Sequence, residues 1–176
     1  MIRKTGKNFW GKLGIKDNLR VGFGYDSHKF SKERKLYLCG VEIENCDGLE
    51  GHSDGDVCLH SIIDSLLSTT NLGDIGENFP CEDETLKDIS SLILLDRTIK
   101  KIKKNYPSFE IINLNLTIIT EKPRIKEYKE KMKENLSKYL SISKDKISIS
   151  AKTQEGMGFI GRGEGMASLC LCLIKI

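Results

Sequence analysis

The sequence predicts an α/β (α+β) fold: a four-stranded mixed sheet covered by helices on one side, with small β-hairpin elements. Stretches rich in β-branched residues alternate along the chain with segments whose apolar residues return at the helix period. The length of 176 residues suits one domain with a real core, and no internal repeat or low-complexity tract interrupts it. Residues 1–19 read as a basic N-terminal extension and 20–176 as a single domain.

Each element has its own signal. Arg20 to Gly24 reads as a short strand, and Lys35 to Ile43 as another with Leu36, Leu38 and Val41 as its apolar positions. Asp56 to Ser68 is helical, because Val57, Leu59, Ile62, Ile63, Leu66 and Leu67 share a stripe. Asp54 and Gly55 suit its start, since an Asp accepts orphan amide hydrogens there. Two glycines in 71–76 break that helix, and Phe79-Pro80 opens an acidic loop. Ile89 to Asn105 is the next helix, with four lysines at 100–104 where cations suit the helix dipole. Ile111 to Thr120 is a strand. Pro123 to Leu140 is a third helix, with Pro near its first turn. Ile147 to Thr153 and Met166 to Ile176 are strands, joined by the glycine-dense segment 156–165.

Composition excludes several classes. Hydrophobic residues at 39% and charged residues at 30% are ordinary for a soluble globular chain. A net charge of +3 with 7% aromatics and no basic/aromatic stripe argues against nucleic acid as a partner. No apolar run approaches the roughly 20 residues that span a bilayer, so no membrane role is expected. The six cysteines have no framework spacing and read as reduced, with Cys170 and Cys172 sharing one strand face as small core residues. The leader lacks an apolar core and reads as a cloning remnant or the trailing end of a targeting peptide.

The chemistry concentrates in one stretch that holds all three histidines, His28, His52 and His60. Asp26 and His28 stand two apart, which places both on one side of an extended strand. Asp56, His60 and Asp64 are spaced i, i+4, i+8 and line one helix face. If strand end meets helix start, Asp26, His28 and His60 converge on one ion, and three such ligands leave a zinc one open position. Asp64 would then orient His60 from behind. The same spacing equally allows an Asp/His cluster that only caps the helix. Gly22-x-Gly24 lacks the third glycine of a dinucleotide fingerprint, and 158–165 lacks a P-loop ending. Arg162 in that segment is a candidate phosphate contact.

At this point the residues resemble the 2-C-methyl-D-erythritol 2,4-cyclodiphosphate synthase family. The blocks that carry the resemblance are Gly-x-Gly-x-Asp-x-His at 22–28, His-Ser-Asp-Gly-Asp-Val-x-Leu-His at 52–60, Asp64, and Leu72-Gly73-Asp74-Ile75-Gly76 with Phe79-Pro80. They continue in Lys152-Thr153-x-Glu155 and Gly158-Phe159-x-Gly161-Arg162-Gly163-Glu164-Gly165. The resemblance implies a lyase that converts 4-diphosphocytidyl-2-C-methyl-D-erythritol 2-phosphate to the cyclic diphosphate with release of CMP. It implies a homotrimer with active sites between subunits, zinc on Asp26, His28 and His60, and a second divalent ion, magnesium or manganese, on Glu155. His52 and Thr153 would stabilise the transition state. Ser53, Asp74, Gly76, Phe79, Asp83, Thr120, Pro123, Arg124, Ile125, Lys126, Lys152, Phe159 and Arg162 would contact the substrate.

Cys81-Glu82-Asp83 and Arg124-Ile125-Lys126 depart from the family's usual runs, and Ser31 to Lys35 has no assigned role. A zinc-dependent phosphoester hydrolase is the alternative reading, and a metal-stabilised binding protein a third. The pathway of the family runs in bacteria and plastids. The Lys/Asn/Ile bias and basic leader favour the apicoplast-like plastid of an AT-rich protist, with bacterial cytoplasm as the alternative.

Overall fold

The computed structural model describes residues 18–176. The predicted leader at 1–19 lies outside the described residues except for its last two. β1 runs Leu19–Ser31, well past the predicted end at Gly24, so Asp26 and His28 sit inside the strand. Its sequence alternates buried Gly22 and Gly24 with exposed Val21, Phe23 and Tyr25. Helix α1 (Val57–Thr70) presses on the glycine face. A Cβ on Gly22 would stand 1.9 Å from the Ser65 carbonyl oxygen, and one on Gly24 2.0 Å from that of Ser61. These glycines serve helix–strand contact, not a dinucleotide turn.

The single strand expected over Lys35 to Ile43 is a hairpin of β2 (Leu36–Leu38) and β3 (Val41–Ile43), reversed at Cys39 and Gly40 with φ of 54° and 72°. β4 (Gly48–Leu49) pairs with Phe30 and Ser31 of β1. β5 (Glu110–Ile119), β6 (Ile147–Lys152) and β7 (Gly165–Lys175) complete the main sheet, in the order β4-β1-β7-β5-β6. The sheet therefore has five strands instead of four, because two-residue β4 is too short to show an alternation. It is mixed as predicted: β7 is antiparallel to β1 and β5, while β5 and β6 are parallel.

Helices cover one side. α1 is buried nearly all round because it lies between the sheet and α3 (Ser91–Asn105). One-turn helix α2 (Ile75–Asn78) follows α1, whose C-cap Asn71 is left-handed. The predicted helix from Pro123 starts late. Residues 123–125 form a loop anchored by buried Ile125, a 3₁₀ turn spans Lys126–Tyr128, and α4 (Lys129–Leu140) buries Met132, Leu136 and Leu140 beside β6. The glycine-dense connection holds one-turn α5 (Gly158–Gly161). All six cysteines are free, and Cys170 and Cys172 are buried on the helix side. The other sheet face stays open, with Val21 68%, Phe23 54% and Leu171 49% exposed.

The register gathers the chemistry. His28 pairs with Met166 and Ile119 with the adjacent Ala167, while Lys152 lies opposite Ile119. The ends of β1, β5 and β6 that carry candidate residues thus share one end of the sheet.

Candidate active site

Asp26 and His28 project from one side of β1, as their spacing requires, and His60 comes from the first turn of α1. Asp26 Oδ2 lies 2.8 Å from His28 Nε2 and 2.9 Å from His60 Nδ1, and the two ring nitrogens are 3.0 Å apart. Among the described residues this is the one group of three His, Cys, Asp or Glu side chains arranged to hold a metal ion. The far nitrogen of each ring is engaged. His28 Nδ1 donates to the Glu50 carbonyl at 2.5 Å, and His60 Nε2 faces the hydroxyls of Ser53 and Ser91 at 3.0 Å each. Those bonds assign the tautomers and turn both remaining lone pairs toward the cluster.

Burial by itself would raise the Asp26 carboxyl, but the hydrogen bonds and charges of His28 and His60 outweigh it and hold it well below the usual carboxylate range. Burial likewise opposes the imidazolium of His28, yet Asp26 and the Glu50 carbonyl push that group above its ordinary value. A carboxylate that draws a proton onto its neighbour marks a place where positive charge is stabilised. One oxygen and two nitrogens, each ring braced from behind, fit a divalent transition metal.

The helix face expected to present Asp56, His60 and Asp64 together delivers only His60. Asp56 is the N-cap of α1, where Asp54 and Gly55 were expected to start the helix. It is fully buried and accepts the amides of Cys58 and Leu59 at 3.1 and 3.0 Å and those of Cys39 and Gly40 at 3.0 and 2.6 Å. Asp64 does not brace His60: its Oδ1 accepts the Ile75 amide at 2.8 Å and anchors α2. The brace is Ser91, whose hydroxyl donates to Asp54 Oδ1 at 2.5 Å while its amide donates to Asp54 Oδ2 at 2.9 Å. Ser90 and Ser91 stood at a visible helix start, but capping falls to Ser90, and nothing local marks Ser91 as the one turned inward.

A cleft of about 190 Å³ opens beside the cluster, lined by His52, Ser53, Ile75, Gly76, Phe79 and Cys81 among others. His52 is half-buried, with Nε2 3.2 Å from the Asp83 carbonyl oxygen. Asp74 caps α2 by accepting the Glu77 amide at 2.8 Å. Asp83 accepts the Thr85 amide and hydroxyl at 3.0 and 2.6 Å, which hold its carboxyl below the ordinary value.

The remaining candidates lie elsewhere. Thr120, Pro123, Arg124, Ile125, Lys126, Lys152 and Thr153 line a second cleft of about 310 Å³, which shares no residue with the first. Glu155, at φ 51°, accepts the Thr153 hydroxyl at 2.7 Å beside it. Glu121 secures that loop through the amides of Gln154 and Gly156 at 2.9 and 3.4 Å. Phe159 lines a third depression with Ser27, His28, Lys29 and Glu164. Arg162, the candidate phosphate contact, pairs with Glu164 at 2.6 Å on the surface.

A YgbB family model matches residues 19–175. Over 158 residues the chain is 50% identical to the 2-C-methyl-D-erythritol 2,4-cyclodiphosphate synthase of Brachyspira hyodysenteriae, covering 89% of this chain and 98% of that one. It is 44% identical to the bifunctional enzyme IspD/IspF of Campylobacter curvus over 88% of its own length, and spans 41% of that larger protein. The solved structure of IspF from Plasmodium falciparum in complex with CDP superposes with a TM-score of 0.77 at 32% identity, over 91% of this chain and 97% of that one. The relatives near half identity are bacterial, which overturns the plastid expectation: a residue bias set by genome composition carries no information about compartment. Among the described residues no helix is long and apolar enough to cross a membrane. The chain belongs to the YgbB family, that of the 2-C-methyl-D-erythritol 2,4-cyclodiphosphate synthases.

Proposed function

We propose that residues 20–176 form one catalytic domain that closes the substrate's own 2-phosphate onto its diphosphate. The reaction turns 4-diphosphocytidyl-2-C-methyl-D-erythritol 2-phosphate into 2-C-methyl-D-erythritol 2,4-cyclodiphosphate and CMP. The observation that carries this is the convergence of Asp26, His28 and His60 beside His52 and Ser53, in a chain half identical to a named synthase. A 2-phosphate oxygen forms a bond to the β-phosphorus, and the bond from that phosphorus to the bridging oxygen breaks, so CMP carries the electron pair away. The nucleophile is already an anion, so alignment and charge neutralisation do most of the catalysis.

Asp26, His28 and His60 would hold a zinc ion and Glu155 a magnesium or manganese ion, and the chemistry these cations would supply is neutralisation of phosphate charge. His52 and Ser53 hold the phosphate, and His52 donates to the charge that grows in the transition state. Asp74 and Gly76 face the ribose, while Phe79 and Asp83 lie along the substrate. Thr120 to Lys126, with Lys152 and Thr153, take the cytidine end; Phe159 and Arg162 complete the contacts. The family resemblance assigns the two clefts to one site shared between neighbouring subunits of a homotrimer, and their separate linings agree with that. The open apolar face of β1 and β7 supports that assembly.

The test is incubation with the cytidylylated, phosphorylated substrate, followed by phosphorus NMR. CMP and a cyclic diphosphate are expected. An open-chain product carrying oxygen from labelled water would instead establish the hydrolase. His60→Ala should lose the metal and about 10³-fold or more in rate while staying folded. Mixing His60→Ala and Glu155→Ala chains, each inactive alone, should restore activity if neighbours share a site, and a fully active monomer would refute the assembly.

A further inference from the structure

Arg34 belongs to the charged connection that carried no role in the sequence, and it reaches directly under the loop bearing His52 and Ser53. Its Nη1 donates to the Gly51 carbonyl at 2.5 Å, and its Nη2 donates both to the Ser53 carbonyl and to Asp88 Oδ1, the latter at 3.1 Å. The two carbonyls flank His52 on either side. The Asp88 amide in turn donates to the His52 carbonyl at 2.7 Å, and the Asp54 amide donates to the Ile89 carbonyl at 3.0 Å. Residues 51–54 are thus fastened from both sides, by a guanidinium below and by 88–89 beside them. The clamp side chain is about a quarter exposed and lies on a connection that enters β2.

We propose that Arg34 is the positioning residue for His52 and Ser53: it fixes their backbone so that the imidazole and hydroxyl meet the transferring phosphate. A planar fork is required here, because the donors must span two carbonyls separated by one residue. A lysine carries the same charge but cannot hold both at fixed spacing. Arg34 has no hydrogen bond to Asp26, His28 or His60; it reaches the cluster only through Ser53, and Ser91 still holds the His60 ring, so its effect on metal binding should be small beside its effect on rate. The inference rests on the cyclisation reading for its kinetic consequence, since a small misplacement of an aligned group costs about 100-fold in rate.

The test uses the full chain with metal present. Arg34→Ala should lower kcat about 100-fold with metal content unchanged by mass spectrometry, and Arg34→Lys should recover only part of it. Added guanidinium should rescue Arg34→Ala and not Arg34→Lys. In a His52→Ala background the Arg34→Ala change should cost much less than it does alone. Full activity of Arg34→Lys, metal loss in either variant, or an undiminished effect in the His52→Ala background would overturn the assignment. If Arg34→Ala fails to fold, Arg34→Lys and Asp88→Asn carry the same comparisons. Absence of turnover in the unaltered protein would sink the cyclisation reading alone. The imidazole NMR signals of His52 still test the clamp: they should move in Arg34→Lys by more than those of His60, which Ser91 also holds, and an unmoved His52 signal would refute it.

Discussion

In the cleft at the end of β1, both imidazoles of the Asp26–His28–His60 cluster are held from behind: His28 by the Glu50 carbonyl, His60 by Ser53 and Ser91, and Ser91 in turn by Asp54. The cleft along 120–126 and 152–155 is assembled differently. Arg124, Lys126, Lys152, Thr153 and Glu155 are exposed, and the bonds that order it are mainly to loop backbone. The first cleft is preorganised within one chain, as a charge-neutralising centre must be if it is to cost no rearrangement during reaction. The second presents exposed side chains with few bonds among themselves. The two clefts are stabilised by different means, so they should fail in different ways.

The largest difference should appear in glycine substitutions. Gly24→Ala drives a Cβ to within 2.0 Å of the Ser61 carbonyl and 2.7 Å of the Ser65 amide nitrogen, both backbone. It should cost about 3 kcal/mol or more in urea unfolding and weaken metal binding. Gly156, beside the second cleft, has φ 77° and nothing within 4 Å of a new Cβ. Gly156→Ala should cost only about 1 kcal/mol, from backbone strain. Equal costs would break the contrast.

Asp56 sharpens it with pH. Burial pushes its carboxyl up to about 7, with repulsion from Asp54 adding and the amides of Gly40 and Leu59 opposing. The unfolded value is about 4, so the folded chain holds an extra proton between those limits. Its contribution to stability is complete below about pH 4 and is lost as pH rises through about 7. The stability of the wild type relative to Asp56→Asn should fall by up to about 1.4 kcal/mol per pH unit across that window. A flat difference in thermal or urea unfolding between pH 5 and 8 would contradict this.

Ser91→Ala tests the brace behind His60. It should weaken metal affinity by roughly 10- to 100-fold in chelator competition, with the fold intact. The smallest effect belongs to the other cleft. Lys152→Ala should weaken CDP binding about tenfold, measured by calorimetry, and change stability by no more than about 0.5 kcal/mol. A marked loss of stability there would mean that the second cleft is as internally braced as the first.

Much of the metal side could be read from residue spacing, because Asp26-x-His28 on a strand and His60 on a helix obey local periodicities. The helix face was misread where a cap intervenes: Asp56 precedes the first helical residue, so it turns toward the amides of Cys39 and Gly40 instead of following the i, i+4 row. Asp64 keeps the row but is drawn to the Ile75 amide. Ser91 and Arg34 were out of reach of any local rule. Ser91 meets His60 across 31 residues of sequence, and Arg34 meets Asp88 across 54, contacts that depend on how loops pack. The fifth strand escaped for the opposite reason, since two residues carry no period.

Gly22 and Gly24 have a consequence beyond packing. Because β1 and α1 touch backbone to backbone there, the spacing between Asp26, His28 and His60 is set by peptide groups rather than by the sizes of neighbouring side chains. Drift in core volumes away from Ser53, Ser91 and Asp54 can proceed without moving the strand and helix that carry the cluster. The Asp26–His28–His60 cluster is thereby insulated from most volume changes in the core, and two glycines carry the tolerance that the other core positions enjoy.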